Sequence, residues 1–355
     1  MIKTISIVGS ARINPGDENP YLVLHEFLEA EGLTPTLDCG SDFLVAINHN
    51  QRLYEEFIHG GGHHDRAVLI RLEPDSVFPL QYKSKTTNKY GLIITPGSVL
   101  DHKTPETFVG WPYKYNLNPA QPDISDPSLL SILHDPSWRN LFNLESWESR
   151  PKKMTMIAAN KVSPLKSANY SIRRKLASQL SLKALEVYGP LWTDKISVKI
   201  YHRLAVVIAN FRQGIFSNPI SIYGNLFRKY PAARGTVPNK HVVLRETQFS
   251  LVVENSNSYV SEKIIDAIIN GAIPIYIGPD LRDVGLPINI AIQSTGSPKE
   301  IIEITETLDS NDIETILIAM RDFFGSSTFL DFWTERRVYE KVSAQIADYF
   351  RRVPK

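Results

Sequence analysis

Apolar residues along this chain fall into short unbroken runs, separated by stretches in which they recur every three or four positions. In the first third, the run Ile5–Val8 is followed by helical spacing over Tyr21–Glu31, then by runs at Phe43–Ile47, Ala67–Arg71 and Leu92–Thr95. Short apolar runs bounded by polar turns read as strands buried on both faces. Their alternation with helical segments predicts βαβ units and a mostly parallel sheet. Pro105–Pro136 interrupts the rhythm, being rich in proline, Asp and Ser with little periodicity, and so predicts loops with a domain boundary near residue 150.

The alternation then resumes. Strand candidates at Met154–Ala158, Ala184–Tyr188, Phe249–Val253 and Ile273–Ile277 are interleaved with helix candidates at Asn169–Leu182, Lys195–Asn210 and Glu262–Asn270, and Asn218–Lys240 reads as loop. Phe332–Tyr349 has helical spacing and is expected to cross back onto the first domain. The pattern predicts an α/β protein of two Rossmann-like domains, residues 1–150 and 151–335, with a C-terminal helix over 336–355. Ligands of parallel α/β sheets sit beyond the carboxyl ends of the strands, so a cleft between two such domains is the expected seat of a nucleotide and its reaction partner.

A length of 355 residues suits two cores. Lys plus Arg (39) nearly balances Asp plus Glu (38), for a net charge of +1. No global field draws the chain to nucleic acid, and any affinity for phosphate must come from a few placed side chains. Cys39 is the sole cysteine, which excludes an intrachain disulfide or a cysteine zinc site and fits a cytoplasmic protein. No run of eighteen apolar residues occurs, so no membrane span is expected and any membrane contact would be peripheral. His59-Gly60-Gly61-Gly62-His63-His64-Asp65 reads as an exposed flexible loop rather than a metal cluster.

The most informative stretch runs from Phe249 to Gly278: strand, polar turn, helix, strand. Ser261 is placed to cap the helix, Ile264, Ile265 and Ile268 give it an apolar face, and Gly271 ends it. Glu262 and Lys263 then fall in its first turn. Backbone N–H groups and a lysine there favour an anion, while a neighbouring carboxylate can accept hydrogen bonds from sugar hydroxyls.

This stretch resembles the donor-binding signature of glycosyltransferase family 10, the α-1,3/4-fucosyltransferases, through Glu254, Asn255, Ser256, Tyr259, Val260, Glu262, Lys263, Pro274 and Tyr276. Ser261 stands where the family has Thr, and the turn between Asn255 and Tyr259 is shorter than in many members. Gly235–Lys240 resembles the family's lead-in to the signature, bringing Lys240 into the donor set. Asn169–Arg173 resembles the segment whose arginine meets the donor pyrophosphate, a role the resemblance assigns to Arg173, with Arg174 beside it and Ala159 in place of the usual Ser. The resemblance covers about 155–190 and 235–278.

It implies a GT-B fold, with the active site in the cleft between the domains, and inverting transfer from GDP-β-L-fucose to an acceptor glycan. Fixed cations such as Arg173 and Lys263 would stabilise the departing nucleoside diphosphate. The chain has no Asp-x-Asp metal motif, so no essential metal and no cofactor beyond the donor substrate is expected. Asn255, Tyr259 and Glu262 would position ribose and fucose. The acceptor hydroxyl needs a base, and Glu73, just past the Ala67–Arg71 strand in Leu69-Ile70-Arg71-Leu72-Glu73-Pro74, stands in a place comparable to that of the family's presumed base. A plainer reading pairs Glu73 with Arg71. Trp111-Pro112-Tyr113 offers aromatic faces to an acceptor sugar. Two other readings stay open: a related transferase using another nucleotide sugar, and a non-catalytic glycan- or nucleotide-binding homologue.

Overall fold

The computed structural model describes residues 3–9, 21–36, 41–96, 106–108, 110, 134–180, 184–212, 214–215 and 222–353. Cys39, Trp111-Pro112-Tyr113 and most of the Pro105–Pro136 loop lie outside them. The chain forms two compact units, one made of Met1–Tyr113 with Leu330–Lys355 and the other of Lys114–Phe329.

The first unit holds a six-stranded sheet of β1 (Lys3–Gly9), β2 (Leu33–Thr36), β3 (Phe43–Ile47), β4 (Ala67–Ile70), β5 (Leu92–Thr95) and β6 (Glu106–Phe108), in the order β2-β1-β3-β4-β5-β6. Every neighbouring pair is parallel. Strand alternation divides the apolar runs between two cores. Val45, Ile47, Val68, Ile70 and Ile94 face helix α1 (Leu22–Ala30) and the C-terminal helix Glu335–Arg352, which contributes Val338, Val342, Ile346 and Phe350. Leu44, Ala46, Ala67, Leu69 and Ile93 face α2 (Gln51–His59) through Tyr54 and Phe57. Burial on both faces is why these strands read as unbroken apolar runs.

The second unit repeats the plan with β7 (Lys152–Ile157), β8 (Glu186–Tyr188), β9 (Ala233–Gly235), β10 (Thr247–Val253), β11 (Ile273–Ile277) and β12 (Ile292–Gln293), ordered β12-β11-β10-β7-β8-β9 and parallel throughout. The order reverses between β7 and β10, and such a switch point leaves a crevice beyond the strand ends. Its main helices are α3 (Tyr170–Gln179), α4 (Ile196–Arg212), α5 (Lys240–Arg245), α6 (Lys263–Ile269), α7 (Pro298–Thr307) and α8 (Ser310–Phe324). None of the described helices is long and apolar enough to cross a membrane.

The expected boundary near residue 150 is not where the chain divides. Two short helices, Pro136–Arg139 and Leu144–Glu148, carry Trp138 and Trp147 into the second unit. Trp138 Nε1 donates to the Ile269 carbonyl (3.0 Å) and Trp147 Nε1 to that of Gln248 (2.8 Å), so both indoles are buried with their polar atom satisfied. The short strands β2, β6 and β12, and helices α2, α5, α7 and α8, had no counterpart in the sequence reading, and β9 lies within Asn218–Lys240, which was expected to be loop.

Trp138 fills a cluster with Phe142 and Phe324. Trp138→Ala should destabilise the second unit by about 3 kcal/mol or more, seen as a lowered urea midpoint; a midpoint unchanged from wild type would contradict this anchoring.

Candidate functional site

Beyond the carboxyl end of β10 the chain buries a carboxylate. Glu254 has no exposed surface and follows Val253 directly. Its Oε1 accepts the Ser261 backbone N–H (3.0 Å) and its Oε2 the Ser261 hydroxyl (2.6 Å). Lys263 Nζ donates to that same hydroxyl (2.6 Å) and stands 3.6 Å from Glu254 Oε2. Gly278, at the end of the neighbouring strand, leaves the space needed: a Cβ there would lie 2.6 Å from the Tyr276 hydroxyl and 2.8 Å from Glu254 Cγ.

Ser261 therefore does not cap α6 as its position suggested. The helix starts at Lys263, Glu262 precedes it without a side-chain capping bond, and the Ser261 hydroxyl is spent bridging Glu254 to Lys263. α6 spans seven residues, and the full charges at its start are those of Glu262 and Lys263. Gly271 does end it, in the left-handed region at φ +68°.

Arg173, on α3, is almost wholly buried, and burial lowers its pKa. Its Nη2 donates to the Val253 carbonyl (2.6 Å) and to Asn255 Oδ1 (2.8 Å), and Nε also reaches Val253 (3.2 Å). Arg174 donates to the Lys161 carbonyl (2.7 Å). Tyr259 is buried beneath the turn. Of the signature residues, Lys263, Glu262 and Asn255 thus keep partial exposure, while Glu254, Arg173 and Tyr259 lie inside and shape the turn.

Lys240 opens α5 and pairs through Nζ with Asp266 Oδ2 on α6 (2.5 Å). Burial would raise the Glu262 carboxyl, but Lys263, Lys240 and Arg173 together hold it below its ordinary range. Lys240 also lines a cavity of about 620 Å³ with Ile157, Gly189, Thr236, Asn239 and His241, beyond the ends of β7, β8 and β9. Asp266 is the member that sequence reasoning missed. Its signal was an acid inside the apolar run Ile264–Ile269, where every residue is buried.

Glu73 belongs to the first unit. Its side chain is exposed, and its backbone is held firmly: its N–H donates to Asn48 Oδ1 (3.0 Å), and its carbonyl accepts from Gln81 Nε2 (2.6 Å) and the Tyr82 hydroxyl (2.9 Å). Asn48 adopts φ 56°, a left-handed conformation that Asn tolerates better than most residues, and its Oδ1 also receives the Leu72 N–H (2.9 Å). The ion-pair partner of Arg71 is Glu106, with both side chains buried. In the adjoining loop, His63, His64 and Asp65 form the one group among the described residues whose ligand atoms could share a cation, and the Asp65 carboxylate already pairs with both rings (3.2 and 3.0 Å).

No protein-family model matches the sequence, and no curated protein does. Solved structures do match the fold. HepE from Anabaena in complex with UDP is 9% identical over 98% of this chain and 100% of its own, with a TM-score of 0.55. The same protein with UDP-glucose gives 9% identity, coverage of 99% and 100%, and a TM-score of 0.52. OtsA in its apo form gives 8%, 99% and 100%, and 0.50. Together with the two parallel sheets, these similarities show an α/β protein of the two-domain GT-B kind.

Burial raises Asp266 from 3.8 to about 6, against the pull of Lys240. The folded chain therefore retains a proton that the unfolded chain releases at lower pH. This contribution to stability is complete below about pH 4 and is lost as pH rises through about 6. Urea denaturation across that window should show the loss in wild type and a flatter profile in Asp266→Asn; identical slopes would refute the raised value.

Proposed function

We propose that this chain is a glycosyltransferase that moves L-fucose from GDP-β-L-fucose to a hydroxyl of an acceptor glycan with inversion. The observation that carries the reading is the charged cluster beyond β10, where Lys263 is braced on Ser261 and Lys240 on Asp266 beside an open cavity. Preorganised cations of this kind suit a leaving diphosphate, because their orientation costs nothing at the moment of reaction. The fucose and the guanine rest on the resemblance of residues 249–278 to family 10.

In this mechanism the acceptor oxygen attacks the anomeric carbon as the bond from that carbon to the phosphate oxygen breaks. The acceptor proton passes to Glu73, and GDP leaves against Lys263 and Lys240. Glu262 and Asn255 meet the sugar and ribose. Arg173 and Glu254 act from behind, holding the end of β10 and the turn in place, and Tyr259 supports that turn from the core. No metal is required in this scheme.

A second reading keeps the same cluster and changes the donor to a UDP-sugar. HepE, which shares the fold, is known with UDP and with UDP-glucose, and that observation favours it. Calorimetric titration with GDP and UDP in the presence of chelator separates the two: GDP selectivity supports fucose, UDP selectivity replaces it, and binding of neither leaves a non-catalytic homologue.

Two substitutions test the roles. Lys263→Ala should weaken nucleotide affinity roughly ten- to hundredfold, the worth of one charge-assisted contact, and unaltered affinity would remove it from the site. Glu73→Gln should lower the transfer rate by about 10²–10⁴ with nucleotide binding retained, whereas wild-type turnover would exclude Glu73 as the base.

A further inference from the structure

Helix α4 (Ile196–Arg212) is turned inside out. Arg203 and Asn210 are buried, with Arg203 Nη1 donating to the Ile222 carbonyl (2.6 Å) and Asn210 Nδ2 to Val206 (2.8 Å). The outward face is apolar: Tyr201 is 76% exposed, Leu204 47% and Ile208 44%, with Ile200 and Val198 at its flanks. Positions 201, 204 and 208 stack on one side of a helix, so these side chains form a continuous stripe. The Arg203 bond ties the helix to the following segment, where Phe227 is 74% exposed beside exposed Arg228 and Lys229.

The charge of this region is equally one-sided. Between Asp194 and Glu246 the sequence holds nine lysines and arginines and not one acidic residue. Arg203 is buried, Arg234 pairs with Glu186 and Lys240 with Asp266, while Lys195, Arg212, Arg228 and Lys229 stand exposed. An exposed apolar stripe in an otherwise soluble surface marks an interaction site, and this one has a basic border.

We infer that α4, with the Phe227–Lys229 corner, docks this unit on an anionic membrane surface. The helix would lie in the interface plane, with Leu204 and Ile208 at the boundary of headgroups and acyl chains and Lys195, Arg212, Arg228 and Lys229 at the headgroups. A second copy of the chain is the poorer occupant. A twofold interface sets one patch against itself, and here that would bring Arg228 and Lys229 of two copies together. Nucleic acid is poorer still, since its phosphates gain nothing from the apolar stripe. The inference rests on burial and charge alone and does not depend on the identity of any nucleotide or sugar.

Flotation of the full chain with vesicles tests it, using phosphatidylcholine alone and phosphatidylcholine mixed with phosphatidylglycerol. Wild type should float with the mixed vesicles, stay behind with the neutral ones, and release as salt is raised. Leu204→Glu/Ile208→Glu and Arg228→Glu/Lys229→Glu should each lower the partition coefficient by about tenfold or more, with far-UV circular dichroism and the urea midpoint as checks on folding. The salt dependence of wild type needs no variant and so stands even if a substitution disturbs the fold. Wild type remaining in solution with both vesicle types would overturn the inference, as would flotation of the folded Leu204→Glu/Ile208→Glu variant at the wild-type level. A dimer that this variant dissolves, with no flotation, would give the face to a second copy instead.

Discussion

A carboxylate with no access to water is among the costliest groups a fold can contain, and Glu254 is such a group. It is tolerable only because the chain turns back within seven residues to offer the Ser261 N–H and hydroxyl, with the Lys263 ammonium close behind. That requirement dictates the path of the turn. Tyr259 is drawn under it, Asn255 is left against Arg173, and Lys263 becomes the first residue of α6. The site at the end of β10 is thus the consequence of satisfying one buried charge. The partly exposed groups that could meet a ligand are set by those that cannot.

The first unit solves a related problem by other means. The buried charge of Arg71 is met by Glu106, whose side chain is buried beside it. Asn48 takes a left-handed conformation and gathers the two N–H groups past the end of β4, fixing the backbone from which Glu73 projects into solvent. In both units an Asn or Glu just beyond a strand end organises the loop that follows.

The central strands were legible because burial on both faces leaves an unbroken apolar run: Phe43–Ile47, Leu92–Thr95 and Ile273–Ile277 are read from the sequence with the bounds the structure gives them. The edge strands β2, β9 and β12 were not, since Leu33–Thr36, Ala233–Gly235 and Ile292–Gln293 are short and only partly buried. Helix α4 was visible as a helix, but its orientation was not. Its spacing locates an apolar face, and only packing reveals that this face points outward. At the site, spacing put Ser261, Glu262 and Lys263 at the start of one helix, and the resemblance to family 10 added Glu254. Which of them is enclosed, and that Ser261 bridges rather than caps, depends on side-chain directions that spacing does not encode.

The C-terminal helix completes the core of the first unit by placing Val338, Val342, Ile346 and Phe350 against strands from the other end of the chain. During synthesis, the opening βαβ units must therefore wait, with one sheet face covered only in part by α1, until the residues up to Phe350 have left the ribosome. The second unit is contiguous in sequence and meets no such delay. The unit begun first is the unit that finishes last, and in that interval the part of its apolar face left open is what chaperones and neighbouring nascent chains would encounter.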